Sequence, residues 1–259
     1  MSFLRETLNN SPLSDVVDKN NVLNSNISAY RKGQSTTTVL QAIQGDIVKA
    51  TKHSEVTMMI LADFSKAFDT ICFRNLITKM IKLGFSRDFN IMLCIVNFGV
   101  PQGSILGPVL FNIYVADLQD NANVKCFQYA DDTTIYDHAK LSDLNSCRNT
   151  IYQSINKLSV WSKESTLAFN NDKTKVMILS TPQMSRVHHL DVYDPNIAVS
   201  GYKLERIKSC KLLGVHINEH LKWDDLIKHM VSGCYVILSI LRKLKYLAKY
   251  ELRKQLAEH

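Results

Sequence analysis

The chain is 259 residues long, 46% apolar and 21% charged, enough apolar material for a sizeable core, which excludes a disordered tail, a collagen-like chain and a disulfide miniprotein. Its formal charge is +7, and the stretch from Lys203 to His259 holds twelve basic and six acidic residues, an asymmetry that points to a polyanionic partner at that end. Six cysteines in apolar surroundings, with no C-x-x-C pair and no His pair at zinc-ligand spacing, read as reduced thiols, and the first residues contain no apolar signal region, so the expectation is an intracellular protein.

The first thirty residues are polar and rich in Asn and Ser, and lead into Tyr30-Arg31-Lys32-Gly33-Gln34-Ser35-Thr36-Thr37-Thr38. That hydroxyl run caps a helix in which Val39, Leu40, Ile43, Ile47 and Val48 recur at helical spacing. Val56 to Ala62 reads as a buried strand ending on the charge of Asp63. A second helix follows through Ile71, Leu76, Ile77, Met80, Ile81 and Leu83, closed by Gly84 as C-cap.

Phe89 to Ala116 is uncharged and long enough to span a bilayer. Gly99, Pro101, Gln102, Gly103, Ser104, Gly107 and Pro108 at its centre would leave backbone polar groups unsatisfied in lipid. It reads instead as a buried element, a Gly/Pro loop and a helix through Phe111, Ile113, Tyr114 and Leu118, with no membrane span.

Val124 to Tyr136 reads as a hairpin turning at Ala130-Asp131-Asp132. Ser142 is the expected N-cap of a helix whose Leu144, Cys147, Ile151, Ile155, Leu158 and Trp161 step by three and four. Lys175 to Leu179 is strand-like, Thr181 to Asn196 loop-like, and Ile207 to Ile217 with Gly214 a strand pair or bend. Leu226 to Leu256 reads as a basic amphipathic helix or helix pair. Mixed strands followed by helices argue an α+β fold, without internal repeats.

Asp63 at a strand end and Asp131-Asp132 in a hairpin turn are the donor set that hard divalent cations such as magnesium require. Adjacent strand residues point to opposite faces, so Asp131 is the expected principal ligand and Asp132 assists. Two such ions about 4 Å apart activate a hydroxyl and stabilise a leaving pyrophosphate. An Asp-Asp pair alone also fits a plain solvated turn.

Three long motifs distinguish these readings: Asp63-Phe64-Ser65-Lys66-Ala67-Phe68-Asp69, Gly99-Val100-Pro101-Gln102-Gly103-Ser104-Ile105-Leu106-Gly107-Pro108, and Phe127-Gln128-Tyr129-Ala130-Asp131-Asp132. The last resembles the Y-x-D-D box of reverse transcriptases, and all three, in that order, are most similar to the enzymes of non-LTR (LINE-type, jockey-like) retrotransposons. The resemblance implies a right-hand polymerase, its antiparallel palm sheet backed by helices, with partial fingers over residues 1–55, the palm over 56–200, and a primer-grip-like segment and the start of a basic thumb over 201–259. It implies RNA-directed DNA polymerase activity on an RNA template and DNA primer with deoxynucleoside triphosphates, and two Mg2+ ions, Mn2+ substituting, held by Asp63, Asp131 and Asp132.

By the same resemblance Phe68 is the steric gate whose ring leaves no room for a 2′-hydroxyl. Phe64, Gln102, Gly103, Tyr129 and Arg31 line the nucleotide, and Lys173 lies near the triphosphate, with Lys175 offering the same charge nearby. Gly214, Lys211, Lys222, Arg242, Lys243 and Lys245 contact the duplex backbone. Asp63 and Gly99 are only 36 positions apart, a shorter interval than in the family, and no fingers block precedes Tyr30. The alternative expectation is therefore a truncated, internally deleted and inactive retrotransposon remnant that binds nucleic acid through its basic C-terminal part.

Overall fold

A computed structural model describes residues 17, 23–83 and 107–247. Gly84, Asp88 to Leu106 and the chain beyond Leu247 lie outside the described residues. The chain divides into two compact units, residues 1–208 and 209–259.

The first unit is built on a mixed sheet. Helix α1, Thr36–Lys52, begins at Ser35, whose hydroxyl accepts from the Thr38 amide while the Thr38 hydroxyl accepts from the Ser35 amide; this reciprocal cap fixes the helix start. Strand β1, Glu55–Ser65, follows, then helices α2, Phe73–Lys82, and α3, Gly107–Tyr114. The hairpin strands β2, Lys125–Tyr129, and β3, Asp132–Lys140, come next, followed by helix α4, Leu144–Glu164. Short strand β4, Ala168–Phe169, strand β5, Lys175–Leu179, helix α5, Pro182–Val187, and strands β6, Ala198–Val199, β7, Tyr202–Lys203, and β8, Glu205–Arg206, complete the unit.

The sheet runs β2-β3-β1-β5-β8, with β4 attached to the end of β1. All pairings are antiparallel except β5 with β8. That parallel pair joins Lys175 and Val176 to Glu205 and Arg206.

Alternation along β1 gives the sheet two covered faces. Val56, Met58, Ile60, Ala62 and Phe64 join the main core with Ile151, Ile155 and Leu158 of α4. Met59 and its cross-strand neighbours Tyr136 and Met177 are buried on the other face. There α1 covers them with buried Val39, Ile43, Ile47 and Ala50. A fully buried side chain of this size contributes about 2 kcal/mol, so both layers stabilise the sheet.

Two expected details differ. Ser142 does not cap α4, because Leu141–Asp143 forms a 3-10 turn and the Ser142 hydroxyl bonds the Asp143 carboxylate. Inside the expected loop from Thr181 to Asn196, Thr181 accepts from the Met184 amide and Pro182 occupies the first turn, giving helix α5; Pro at the first helical position is preset for it.

The second unit holds hairpin β9, Ser209–Leu212, with β10, Val215–Asn218, and helix α6, Asp224–Leu247. Leu213 at φ 46° and Gly214 at φ 91° make its two-residue turn; two left-handed positions match the twist of the strands and suit glycine. Helix α6 is the expected basic amphipathic helix: Ile227, Met230, Val231, Tyr235, Ile237, Leu238 and Leu241 recur at helical spacing on one side and are exposed, with Lys228, Ser232, Ser239 and Lys243 on the other. Among the described residues no helix is long and apolar enough to cross a membrane.

Candidate active site

β1 continues past its expected end at Ala62 because partners change along it. β5 pairs as far as Leu61 with Lys175, and β4 takes over at Phe64 and Ser65. Between them the Asn170 amide donates to the Asp63 carbonyl at 2.8 Å. On the other edge β3 follows β1 from Glu55 opposite Lys140 to Asp63 opposite Asp132. Directly opposed residues share a face with Cβ atoms about 5 Å apart, so the register brings Asp132 beside Asp63, and Asp131 occupies the turn next to it.

That turn has two residues, Ala130 and Asp131, between the terminal pair Tyr129 and Asp132. Ala130 takes φ 54°, and the Gln128 side-chain amide donates to its carbonyl at 3.3 Å. Gln128 is fully buried, and its backbone bonds Asn26 and Ser28 of the incoming loop. Arg31 donates from Nη1 to the carbonyls of Asn24 and Ile27 at 3.0 and 3.1 Å, so this expected nucleotide-contacting guanidinium braces the loop that flanks β2.

Lys173 lies at the acidic end of the sheet. Its Nζ lies 3.3 Å from Asp63 Oδ2, while Lys175 is drawn to Glu205 at 2.5 Å. Asn170 sets this up, a residue with no assigned role in the sequence reading: its carbonyl accepts from the amides of Lys173 and Thr174, and its Oδ1 also accepts from Lys173. The signal was the turn-forming Asn-Asn-Asp run, in which Asn side chains bond the backbone a few residues on.

Asp63 Oδ2 is buried and has no hydrogen-bond partner among the described residues. The Asp132 carboxyl is pushed above the usual carboxylate range, first by loss of solvent and then by the charges of Asp131 and Asp63, while Lys173 acts against them. Like charges directly opposed across a sheet destabilise it. A buried carboxylate oxygen that is ion-paired to Lys173 but accepts no hydrogen bond among the described residues, set among mutually repelling carboxylates, fits a hard divalent cation, whose ligands are oxygens. Among the described residues, however, no three His, Cys, Asp or Glu side chains stand together as a ready set of ligands.

Alternation turns Phe64 away from this face. Its ring is 2% exposed and stacks on Phe169 at 4.9 Å between centroids, with Trp161 at 6.5 Å; the expectation that it lines the nucleotide is corrected to a core role. Phe68 is half-buried and stacks on Phe111 of α3 at 4.6 Å. Phe111 is fully buried and is a support that sequence reasoning missed, since an aromatic on an apolar helix carries no distinguishing mark.

The loop after Phe68 is tied down in turn. The Thr166 hydroxyl donates to the Thr70 carbonyl at 3.0 Å, the Cys72 amide donates to the Tyr114 hydroxyl, and that hydroxyl donates to the Ser165 carbonyl. Tyr129 is half-buried beside Asp132. Gln102 and Gly103 lie outside the described residues, as does the side chain of Lys245. In the second unit Lys211, Lys222, Arg242 and Lys243 are exposed and Gly214 sits in the hairpin turn.

The reverse transcriptase (RNA-dependent DNA polymerase) family matches residues 6–217. The chain is 25% identical over 272 residues to a probable RNA-directed DNA polymerase from transposon BS of Drosophila melanogaster, covering 93% of this chain and 29% of that protein. It is 19% identical to the RNA-directed DNA polymerase from mobile element jockey of the same organism, covering 78% of this chain and 24% of that one. The chain thus spans less than a third of the length of these curated relatives. In fold it is similar to apo telomerase from Candida tropicalis truncated from the C-terminal domain, with a TM-score of 0.51 at 15% identity over 82% of this chain and 44% of that one.

Proposed function

The chain belongs to the reverse transcriptase (RNA-dependent DNA polymerase) family, and on that premise we propose that it is an RNA-directed DNA polymerase domain, adding deoxynucleotides to a DNA primer annealed to an RNA template. The observation that carries this reading is the register of β1 with β3, which sets Asp63 opposite Asp132 with Asp131 in the adjoining turn. Asp63, Asp131 and Asp132 would hold divalent cations, Mg2+ or in its stead Mn2+, which when bound activate the primer 3′-hydroxyl and neutralise charge on the leaving pyrophosphate.

The chain's own residues do the rest. Lys173 Nζ, held at this end of the sheet by the Asn170 turn, is an acid within reach of a phosphate oxygen once it leaves Asp63. The Phe68 ring rests on Phe111 and cannot retreat, so a 2′-hydroxyl beside it meets a fixed wall. Tyr129, at the end of β2, supports the primer end. Lys211, Lys222, Arg242, Lys243 and Lys245, with the Gly214 turn, contact duplex phosphates without reading sequence.

The second reading, an inactive remnant that only binds nucleic acid, is favoured by the lack of three converging ligand side chains among the described residues. Ribonucleotide against deoxynucleotide incorporation on an RNA template separates the two. Deoxynucleotide extension lost in Asp131→Ala, with ribonucleotide use raised in Phe68→Ala, is the expected result; a folded wild-type chain that binds template–primer but incorporates neither nucleotide supports the remnant.

A further inference from the structure

The acidic end of the sheet contains a positive charge of its own. Lys173 Nζ stands 3.3 Å from an Asp63 oxygen that is buried and has no hydrogen-bond partner among the described residues. Asp132 faces Asp63 across the strands and Asp131 adjoins it, so three carboxylates share this end, and the Lys173 ammonium pairs with Asp63. We infer that Lys173 is the resident counter-ion of the site, a cation that a divalent metal must displace from Asp63 Oδ2 in order to bind. The inference rests on the metal-holding role proposed for these carboxylates and adds how that role is regulated.

Geometry makes the exchange feasible. The lysine backbone is pinned by Asn170, whereas its side chain is 68% exposed, so the ammonium can swing into solvent by rotamer changes alone while the backbone stays put. Lys175 cannot substitute, because its ammonium is engaged by Glu205 on the neighbouring strand. An ammonium and a metal ion cannot share one carboxylate oxygen without setting two positive charges side by side.

The test is a Mn2+ titration of the full chain at fixed ionic strength, with no nucleotide or primer, following free Mn2+ by electron paramagnetic resonance. An ion pair this exposed changes affinity by about two- to fivefold when removed. Lys173→Met, which keeps the chain length and removes the charge, is expected to bind Mn2+ two- to fivefold more tightly than wild type, Lys173→Arg to restore wild-type affinity, and Lys175→Met to leave it unchanged. Asp63→Asn is expected to weaken binding and to cancel the gain from Lys173→Met. Thermal melts accompany the titration: Lys173→Met loses stability without Mn2+ and regains it when the ion is added. Equal or weaker binding by a folded Lys173→Met, with wild-type binding intact and dependent on Asp63, overturns the counter-ion role alone. Mn2+ binding that is absent throughout, or indifferent to Asp63→Asn, overturns the metal reading of the carboxylates and this inference with it.

Discussion

Ala130 holds φ at 54° in the turn that presents Asp131, a conformation costing an alanine roughly 1 kcal/mol or more. Such strain persists where the surroundings fix it, here through the fully buried Gln128 and its bond to the Ala130 carbonyl. Ala130→Gly removes the strain but adds freedom to the unfolded chain, so the net gain is expected to be no more than about 1 kcal/mol in urea unfolding. If the turn is strained for function, this more stable variant extends primers more slowly than wild type. A second prediction concerns the wall behind the gate. Phe111→Leu leaves a smaller support under Phe68, so the ratio of kcat/KM for deoxynucleotide over ribonucleotide falls while the melting transition stays cooperative; an unchanged ratio would detach the gate from its backing.

At the level of elements, α1 is fastened to the hairpin by a polar cluster as well as by its apolar stripe. Asp46 accepts from Lys125 at 2.6 Å and from the Tyr136 hydroxyl at 2.9 Å. Burial pushes the Asp46 carboxyl up, but those two bonds and the nearby positive charge outweigh it, and its pKa lies below the ordinary value. A carboxyl depressed in the folded state adds stability that is full above the unfolded value and is lost as pH falls through the folded one. Acid titration of stability should therefore decline below about pH 4, and Asp46→Asn should flatten that decline. The helix and strands themselves were legible because β1 is a continuous apolar run and α1 and α4 repeat at helical spacing. Their ends were not: β1 reaches Ser65 through pairing with Ala168, which no local pattern announces, and the N-terminus of α4 is set by a 3-10 turn where Ser142 had the better capping chemistry. Thr181-Pro182 was a readable helix start hidden in a polar stretch.

Across the whole molecule, the charge asymmetry was visible from composition, and the carboxylates of the acidic end were singled out by motifs that are contiguous in sequence and resemble the family's. What the motifs could not reveal was which side chains meet: the pairing of Asp132 with Asp63, the choice of Lys173 over Lys175, and the inward turn of Phe64 depend on register between strands far apart in the chain. The excess of positive charge from Lys203 onward makes a further prediction. Each cationic side chain withdrawn from a phosphate lowers the slope of log affinity against log salt by roughly 0.9, so the exposed pair Arg242→Glu and Lys243→Glu is expected to weaken template–primer binding at every sequence and reduce that slope by about 2. The most direct test of the central claim is extension of a DNA primer on an RNA template by the wild-type chain and by Asp63→Asn, with deoxynucleotides and Mg2+. The account predicts full-length product from the wild-type chain and none from Asp63→Asn, which should still bind the template–primer; equal extension by both proteins would contradict it.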